Sequence, residues 1–237
     1  MIAWFRKATR LVHVDGYDVN GAPLFAAIWH QAPGPGWVAH HNMTSGEYQQ
    51  TFDQLHQQGY RLVRVSGYES GGEALYAAIW SQSEGPAFEA RHGMTSNGYQ
   101  SLFNDLTSKG YRLTWVSGYG VGGQPLYAAI FEKKSGPAWF ARHGMNSDAY
   151  QAAFDDAVSK GFRLQHACGY SVDDRPYFAA IWEQQREGAG WQARDNLTSA
   201  QYQAAFDQFT QQGMRLEDVS GYGVGGQALY AGLWIAD

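Results

Sequence analysis

Cysteine, proline and charge are all scarce in this 237-residue chain, which carries one cysteine, seven prolines and a charged fraction of 16%. The single cysteine, Cys168, excludes an internal disulfide. No run of Lys or Arg occurs and the formal net charge is −5, so the attraction that dominates nucleic-acid binding is missing. No apolar run approaches the roughly 18 residues of a membrane-spanning helix. We therefore expect neither a nucleic acid nor a membrane as a partner.

Catalytic motifs are also missing. The sequence has no Gly-x-Ser-x-Gly elbow, no phosphate-binding glycine loop ending in Lys-Ser or Lys-Thr, no His-Glu-x-x-His and no Cys-x-x-Cys. Cys168 occupies a place that serine holds in other copies of the repeat described below, so we interpret it as a small residue rather than a nucleophile. The sequence predicts a protein that is not an enzyme, with no catalytic residue and no cofactor.

The dominant positive feature is an internal repeat. Arg-Leu pairs begin at Arg10, Arg61, Arg112, Arg163 and Arg215, with spacings of 51, 51, 51 and 52 residues. Each pair is followed by Gly-Tyr and then by an apolar run that ends in an aromatic residue. This self-similarity predicts one tandem-repeat domain over residues 1–237. Its units cover approximately residues 1–31, 32–82, 83–133, 134–184 and 185–237.

Each unit reads as three strands and one helix. Residues 61–66 and 75–80 are β-rich runs around a glycine turn, which predicts a hairpin. A Gly-Pro turn then leads into a third short strand, which we expect to extend the hairpin into a three-stranded antiparallel meander. The predicted fold class is α+β, with five such units. Capping residues and an apolar face predict four complete helices, at residues 44–58, 95–109, 146–160 and 198–212.

Units of this kind must stack, because both faces of the strand at residues 75–80 are apolar. A helix is expected on one face and the neighbouring unit on the other. The stack can stay open, with Trp4 in the last turn of a truncated helix. Alternatively, residues 4–6 repeat the strand that begins at Trp37 and pair beside the final strand, which would close a propeller-like ring of five units. We favour the ring.

Histidines recur once per repeat, at His41, His92 and His143, with Asp195 in the last unit. Zinc needs its ligands within about 2.0–2.2 Å of the ion, whereas this spacing separates the side chains by a unit. We expect no metal site. A hydrogen bond that ties the strand end to the start of the helix explains the position better.

The recurring segments Trp-x-Ala-Arg-His, Thr-Ser-x-x-Tyr-Gln-x-x-Phe-Asp, Gly-Tyr-Arg-Leu, Ser-Gly-Tyr and Tyr-Ala-Ala-Ile-Trp carry a family resemblance over residues 10–235. The pattern resembles the bacterial tandem repeat found beside the serine-hydrolase domain of polyglycine-hydrolase-like proteins. In that family cleavage belongs to a separate domain with a Ser-x-x-Lys motif, which this chain lacks. The resemblance implies an accessory module in a secreted or cell-surface setting, and it supplies no catalytic residue.

One position of the repeat varies far more than the scaffold. The residue after Arg-Leu-x is cationic, aromatic or acidic in different units: His13, Arg64, Trp115, His166 and Asp218. A fixed scaffold with one variable position per unit is a common way to present a composite binding surface. We therefore predict a non-catalytic binding or scaffolding domain that recognises an extracellular polymer or peptide through these five residues.

Two alternative functions remain open. A multivalent glycan-binding lectin would stack sugar rings on exposed aromatic faces, and its candidate residues are Trp37, Trp139 and Trp191, which begin the third strand of their units. The other interpretation of these tryptophans is packing between units, since Trp buries a large area. A purely structural spacer would bind nothing.

Overall fold

The computed structural model describes residues 9–184 and 190–236. Its strands are β1 (Thr9–Val19), β2 (Ala22–Gln31), β3 (Trp37–Met43), β4 (Arg61–Ser70), β5 (Glu73–Ser81), β6 (Phe88–Thr95), β7 (Arg112–Val121), β8 (Gln124–Glu132), β9 (Trp139–Met145), β10 (Phe162–Val172), β11 (Arg175–Gln184), β12 (Trp191–Thr198), β13 (Met214–Val224) and β14 (Gln227–Ala236). Its helices are α1 (Ser45–Gln57), α2 (Ser96–Ser108), α3 (Ser147–Ser159) and α4 (Ser199–Gln211). The predicted α+β class and repeating architecture are confirmed.

The strands form five antiparallel sheets, one for each unit. Four sheets have three strands, in the orders β3-β5-β4, β6-β8-β7, β9-β11-β10 and β12-β14-β13, and β1 pairs with β2 alone. We call the three positions the outer, middle and inner strands. This order corrects the predicted meander, because the strand that follows the Gly-Pro turn pairs with the next sheet. After each outer strand, a 13-residue helix about 20 Å long carries the chain back along the sheet. The inner strand then starts at the same end as the outer strand, and the two lie on opposite sides of the middle strand.

The helices start where their capping residues predict. Thr44, Thr95, Asn146 and Thr198 each accept a hydrogen bond from the backbone N–H three residues later. Thr44 and Thr198 complete a capping box with Glu47 and Gln201. At the other end of α1, Gly59 adopts φ of 82°, a conformation that glycine tolerates best. Among the helices of the described residues, none is long and apolar enough to cross a bilayer.

Each complete sheet packs both of its faces. In the second unit, Leu62 and Trp80 share a core with Tyr48 of α1 and with Trp115 and Ile130 of the next unit. The opposite face, with Ala77 and Ile79, packs against the first unit. The expected cover, a helix on one face and a neighbouring unit on the other, is therefore present.

The five units form a closed ring. Each inner strand lies against the next one, and β13 lies against β1. At this last junction the backbone N–H of Gly221 donates to Asp15 over 2.8 Å, and the hydroxyls of Tyr17 and Tyr230 are 3.0 Å apart. Closure therefore joins β1 directly to β13. The predicted pairing of residues 4–6 lies outside the described residues.

Tyrosines interlock the inner strands around the ring. The Gly-Tyr tyrosine of each unit lies so close to the Gly-Tyr glycine of the preceding unit that a Cβ on that glycine would overlap its ring. The five pairs are Gly16 with Tyr68, Gly67 with Tyr119, Gly118 with Tyr170, Gly169 with Tyr222, and Gly221 with Tyr17. All five tyrosines are buried. The recurring glycine is needed for this close approach.

Candidate functional site

A β-bulge in every inner strand aims the variable residue toward the ring interior. In β4 the pairing register shifts between Leu62, which lies opposite Trp80, and Arg64, which lies opposite Ile79. Trp80 and Ile79 are adjacent residues on opposite faces of the sheet, so the extra residue sends Leu62 and Arg64 to different faces. The same shift precedes His13, Trp115, His166 and Asp218 in the other inner strands.

These five variable side chains meet in one group, which we call the axial plug: His13, Arg64, Trp115, His166 and Asp218. The Trp115 ring stacks on His166 with centroids 3.8 Å apart, and the Arg64 guanidinium lies 4.4 Å from the Trp115 ring. His13 contacts the same indole edge-on at 5.4 Å. Asp218 lies 2.8 Å from His166 Nδ1 and 3.3 Å from His13 Nδ1.

Members of the plug also bond to the backbone of the preceding unit. His13 Nε2 lies 2.6 Å from the Val219 carbonyl, and Trp115 Nε1 donates to the Val65 carbonyl over 2.7 Å. Asp218 reverses the polarity and accepts from the Ala167 N–H at 3.1 Å. The variable position therefore supplies links between units.

This geometry brings the five candidate ligand-binding residues together in one central space. His13, Trp115, His166 and Asp218 are buried, and Arg64 is only partly exposed. Variation between units is expected of side chains that face solvent or a shared central space, and in this closed ring they share the central space. Their contact with a ligand stays a prediction. Five side chains share one space on the ring axis, and five identical large or charged residues could not pack there together.

Asp218 lies between the two histidines of the plug. His166 Nε2 lies 2.7 Å from the Val116 carbonyl, and His166 Nδ1 lies 2.8 Å from Asp218 Oδ2. Burial by itself raises the pKa of Asp218, but His166, His13 and the Ala167 N–H together lower this pKa to about 2. Burial lowers the pKa of His13 to about 4, so His13 is neutral at pH 7.

A second ring of small polar residues lies next to the plug, two positions further along each inner strand. Each member accepts a hydrogen bond from the Gly-Tyr glycine N–H of the preceding unit: Ser66, Ser117, Cys168, Ser220 and Asp15. In the fourth unit the acceptor is the sulfur of Cys168, which lies 3.3 Å from the Gly118 nitrogen. Burial raises the pKa of its thiol, which fits the interpretation of Cys168 as a small structural residue.

An open cavity of about 360 Å³, which we call the axial cavity, lies on the ring axis at the hairpin end of the inner strands. All five inner strands line it, and ten of its lining residues are glycines. Its carboxylates are Asp15, Asp18, Glu69, Asp173 and Asp174, and none of its lining residues is Lys, Arg or His. This cavity was not predicted from the sequence. The sequence feature that marks it is the residue after Gly-Tyr, which is acidic in two units.

Two carboxylates of the axial cavity are electrostatically unusual. Burial raises the pKa of Asp15 to about 7, although Gly221, Ser66 and Ser220 donate hydrogen bonds to its carboxylate. Asp18 Oδ1 accepts from the Gly21 N–H at 2.8 Å, whereas Asp18 Oδ2 is buried without a hydrogen-bond partner among the described residues. An unpartnered carboxylate oxygen in a cavity wall calls for a donor.

The three candidate lectin tryptophans are half-buried at junctions between units. Trp139 packs edge-on against Phe103 and beneath the Arg112 guanidinium. Trp191 contacts Phe154, and Trp37 contacts Trp29. Their use in glycan stacking stays a prediction.

The recurring histidines bond to a helix start, but to that of the preceding unit. His92 Nε2 lies 2.9 Å from the Ser45 hydroxyl, and His143 Nε2 lies 3.0 Å from the Ser96 hydroxyl. His41 packs on Phe25, and Asp195 bonds to the side chain of Asn196. Across residues 9–184 and 190–236, no three His, Cys, Asp or Glu side chains are grouped to hold a metal ion.

A family model matches almost the whole chain. Its description is a polyglycine hydrolase-like structural repeat, and it matches five times, at residues 10–32, 34–83, 85–134, 136–185 and 188–236. The first match is a half-length copy that covers β1 and β2, and each of the others covers one outer strand, helix, inner strand and middle strand. The family is a structural repeat, in keeping with a non-catalytic repeat domain. The chain belongs to the polyglycine hydrolase-like structural repeat family.

Proposed function

We propose that this chain is a non-catalytic binding module for an extracellular peptide or polymer, in a secreted or cell-surface setting, and that the axial cavity receives an ammonium group of its ligand. The observation that carries the proposal is the composition of the cavity wall, which has five carboxylate residues and no cation. A lysine side chain or an amino terminus has the complementary charge and three N–H donors.

The wall of the axial cavity is formed largely by backbone. At Gly120 and Gly223 a Cβ would overlap the carbonyl oxygens of Ser171 and Asp18, so the neighbouring inner strands approach backbone to backbone. Glycines elsewhere in the wall leave the space free of side chains.

The electrostatics of the axial cavity point the same way. Asp18 Oδ2 is a buried acceptor without a partner among the described residues, and Glu69 stands at the matching place of the next unit. An entering ammonium would donate to Asp18 and would favour the ionised form of Asp15, whose pKa burial has raised.

The test is a titration of the full chain with acetyl-Gly-Gly-Lys-Gly-Gly-amide, followed by isothermal calorimetry at low ionic strength. The same peptide with acetyl-lysine is the control ligand. We expect saturable binding of the lysine peptide and a loss of affinity of about tenfold in Asp18→Asn. Glu73→Gln is the matched control variant, because Glu73 is an exposed carboxylate of the hairpin outside the cavity. Equal binding of both peptides, or equal effects of both variants, would refute the site.

The alternatives make different forecasts for other probes. A lectin would bind members of a glycan array and would lose that binding when Trp37, Trp139 or Trp191 is replaced. Its support is weaker, because these rings already pack against neighbouring side chains. A spacer would bind neither peptides nor glycans.

The proposal includes the absence of hydrolysis. The serines and the cysteine nearest the axis are buried acceptors of backbone N–H groups. A hydrolytic nucleophile instead needs access to substrate and an activating base. Turnover of a polyglycine peptide that survives repurification and disappears in Cys168→Ser or Ser220→Ala would contradict the proposal.

A further inference from the structure

Within residues 9–184 and 190–236, nothing covers the edge of the middle strand β2, whereas the other middle strands are covered. In the described residues no strand lies on its free edge, whereas β5, β8, β11 and β14 each carry an outer strand there. Trp29 is 55% exposed and Leu24 is 41% exposed, while Trp80, the counterpart of Trp29, is fully buried. Of the large apolar side chains that are exposed, only Val158 lies outside β2 among the described residues.

A groove of about 670 Å³ runs beside this edge, between β2 and α4. Its β2 wall includes Phe25, Ala26 and Ala27, and its α4 wall includes Ser199 and Tyr202. Tyr202 is partly exposed, although Tyr48, Tyr99 and Tyr150 hold the same place in α1, α2 and α3 and are buried. The free edge and the groove are continuous, and together we call them the β2 slot.

The ring shows what fills the equivalent groove between other units. Between α1 and β8 it holds the outer strand β6, whose His92 reaches the Ser45 hydroxyl at 2.9 Å. The His92 ring also packs edge-on against Tyr48 at 4.6 Å and Tyr76 at 5.0 Å. Between α2 and β11, His143 of β9 makes the same three contacts with Ser96, Tyr99 and Tyr127.

The β2 slot carries the same receiving set. Ser199, Tyr202 and Tyr230 stand where Ser45, Tyr48 and Tyr76 stand in the second unit. Tyr202 and Tyr230 pack together at 5.1 Å, as Tyr48 and Tyr76 do at 5.2 Å, so the seat for a histidine ring is already formed. No histidine of the described residues occupies this seat.

We propose that the β2 slot binds a strand-and-helix segment of a second polypeptide that carries the outer-strand pattern aromatic-x-Ala-x-His. Three outer strands of this chain show the pattern, as in Trp139, Ala141 and His143 of β9. The incoming strand pairs antiparallel with β2 in the register that β3 uses on β5. Its histidine meets Ser199, and its helix covers Trp29, as α1 covers Trp80.

The experiment uses a labelled synthetic peptide of residues 138–160, which spans β9 and α3, titrated with the full chain and followed by fluorescence anisotropy. A scrambled peptide of the same composition is the control ligand. We expect saturable binding in a one-to-one ratio. Trp29→Glu should weaken it by about tenfold or more, since a central aromatic contact is lost. Val158→Glu, which changes an apolar residue of α3 that is 44% exposed, should leave the affinity within about twofold.

A second pair of variants tests the histidine seat directly. Ser199→Ala in the chain and His143→Ala in the peptide should each weaken binding, and the two changes together should weaken it by less than the product of the single effects. Because Trp29 and Ser199 are solvent-facing, the thermal midpoint of the free chain should not fall in these variants. Two results would overturn the proposal: no binding of the peptide, or equal losses of affinity in Trp29→Glu and Val158→Glu.

Discussion

The middle strands β2 and β5 have nearly the same sequence and very different surroundings. Residues 24–29 read Leu-Phe-Ala-Ala-Ile-Trp and residues 75–80 read Leu-Tyr-Ala-Ala-Ile-Trp. Both strands pair with an inner strand in the same register. Yet Trp29 is 55% exposed and Trp80 is 0% exposed. The burial of a middle strand is therefore conferred by the outer strand and helix of its own unit.

The inner strand of the first unit is not exposed in this way. β1 is buried as completely as β4, because the neighbouring inner strands enclose it from both sides. Among the described residues, the lack of cover on β2 therefore changes the periphery of the first unit and leaves the axis intact. Four measurements can break or sharpen this contrast, and we give them from the largest expected effect to the smallest.

The two tryptophans should differ most. Trp80→Ala removes a fully buried indole and is expected to lower the free energy of unfolding by about 3–5 kcal/mol. Trp29→Ala should lower it by less than about 1 kcal/mol, because the side chain is mostly in water. Chemical denaturation of both variants measures the difference. Trp80→Phe is the control and should be milder than Trp80→Ala, since Phe131 fills the same place in the third sheet. Equal losses in Trp29→Ala and Trp80→Ala would show that β2 is covered in solution.

The glycines beneath the interlocking tyrosines should respond alike in the first two units. Gly16→Ala and Gly67→Ala both place a Cβ inside the ring of the following tyrosine. Each is expected to cost about 1–3 kcal/mol of stability, the usual penalty of overpacking. If Gly16→Ala proves harmless in thermal unfolding while Gly67→Ala is severe, the inner ring of the first unit is looser than the described geometry.

The titration of Asp15 tests whether β1 is shielded from water. Its pKa is raised by burial from 3.8 to about 7, so its contribution to stability is full below pH 4 and is lost as the pH rises toward 7. Asp15→Asn cannot ionise, so its stability relative to the parent should rise by about 1.4 kcal/mol per pH unit across that window.

His13 also makes stability depend on pH, in the opposite direction. Subtracting the free energy of unfolding of the parent from that of Asp15→Asn at each pH removes this contribution. The pKa of His13 is lowered by burial to about 4, so its share of stability is lost as the pH falls from 6.5. The measurement is urea unfolding of both proteins at several pH values between 4 and 7. A difference that stays constant with pH would mean that Asp15 is solvated.

Capping residues should give the smallest effect. Thr44→Ala removes the cap of α1, the helix that covers β5, and is expected to cost about 1 kcal/mol. Thr95→Ala should cost less, because Gly98 stands where Glu47 completes the capping box of α1 and cannot return a bond. Thermal unfolding monitored at 222 nm compares the two variants. A larger loss for Thr95→Ala would contradict the assigned role of the box.

Local chemistry explains what the sequence could predict. Helix limits follow from residues such as Thr44 and Gly59, which act on their own backbone neighbourhood. The order of the strands in a sheet does not follow from local chemistry. β3 and β6 have almost the same sequence pattern, and nothing local states which of them pairs with β5.

The contacts within the axial plug also could not be predicted from local sequence. The bulge beside Leu62 and the closure of the ring are products of the whole assembly, and only they bring Arg64 and Trp115 into contact. Variation between units could therefore not distinguish by itself a solvent-exposed position from one in a shared central space. The acidic wall of the axial cavity was missed because Asp18 and Glu69 are unremarkable as single turn residues and acquire meaning only when five hairpins meet.

The axial plug also constrains how such a chain can evolve. Elsewhere in the four complete units, most positions meet copies of the same neighbours, so one such unit can be exchanged for another there. On the axis, His166 requires Asp218, and Trp115 requires a flat partner such as His166. Gene conversion that made the five units identical would destroy this set, and a sixth unit would find no seat in it. The axis thus gives each repeat an individual identity, and substitutions there must arise as compensated groups across units that are far apart in the gene.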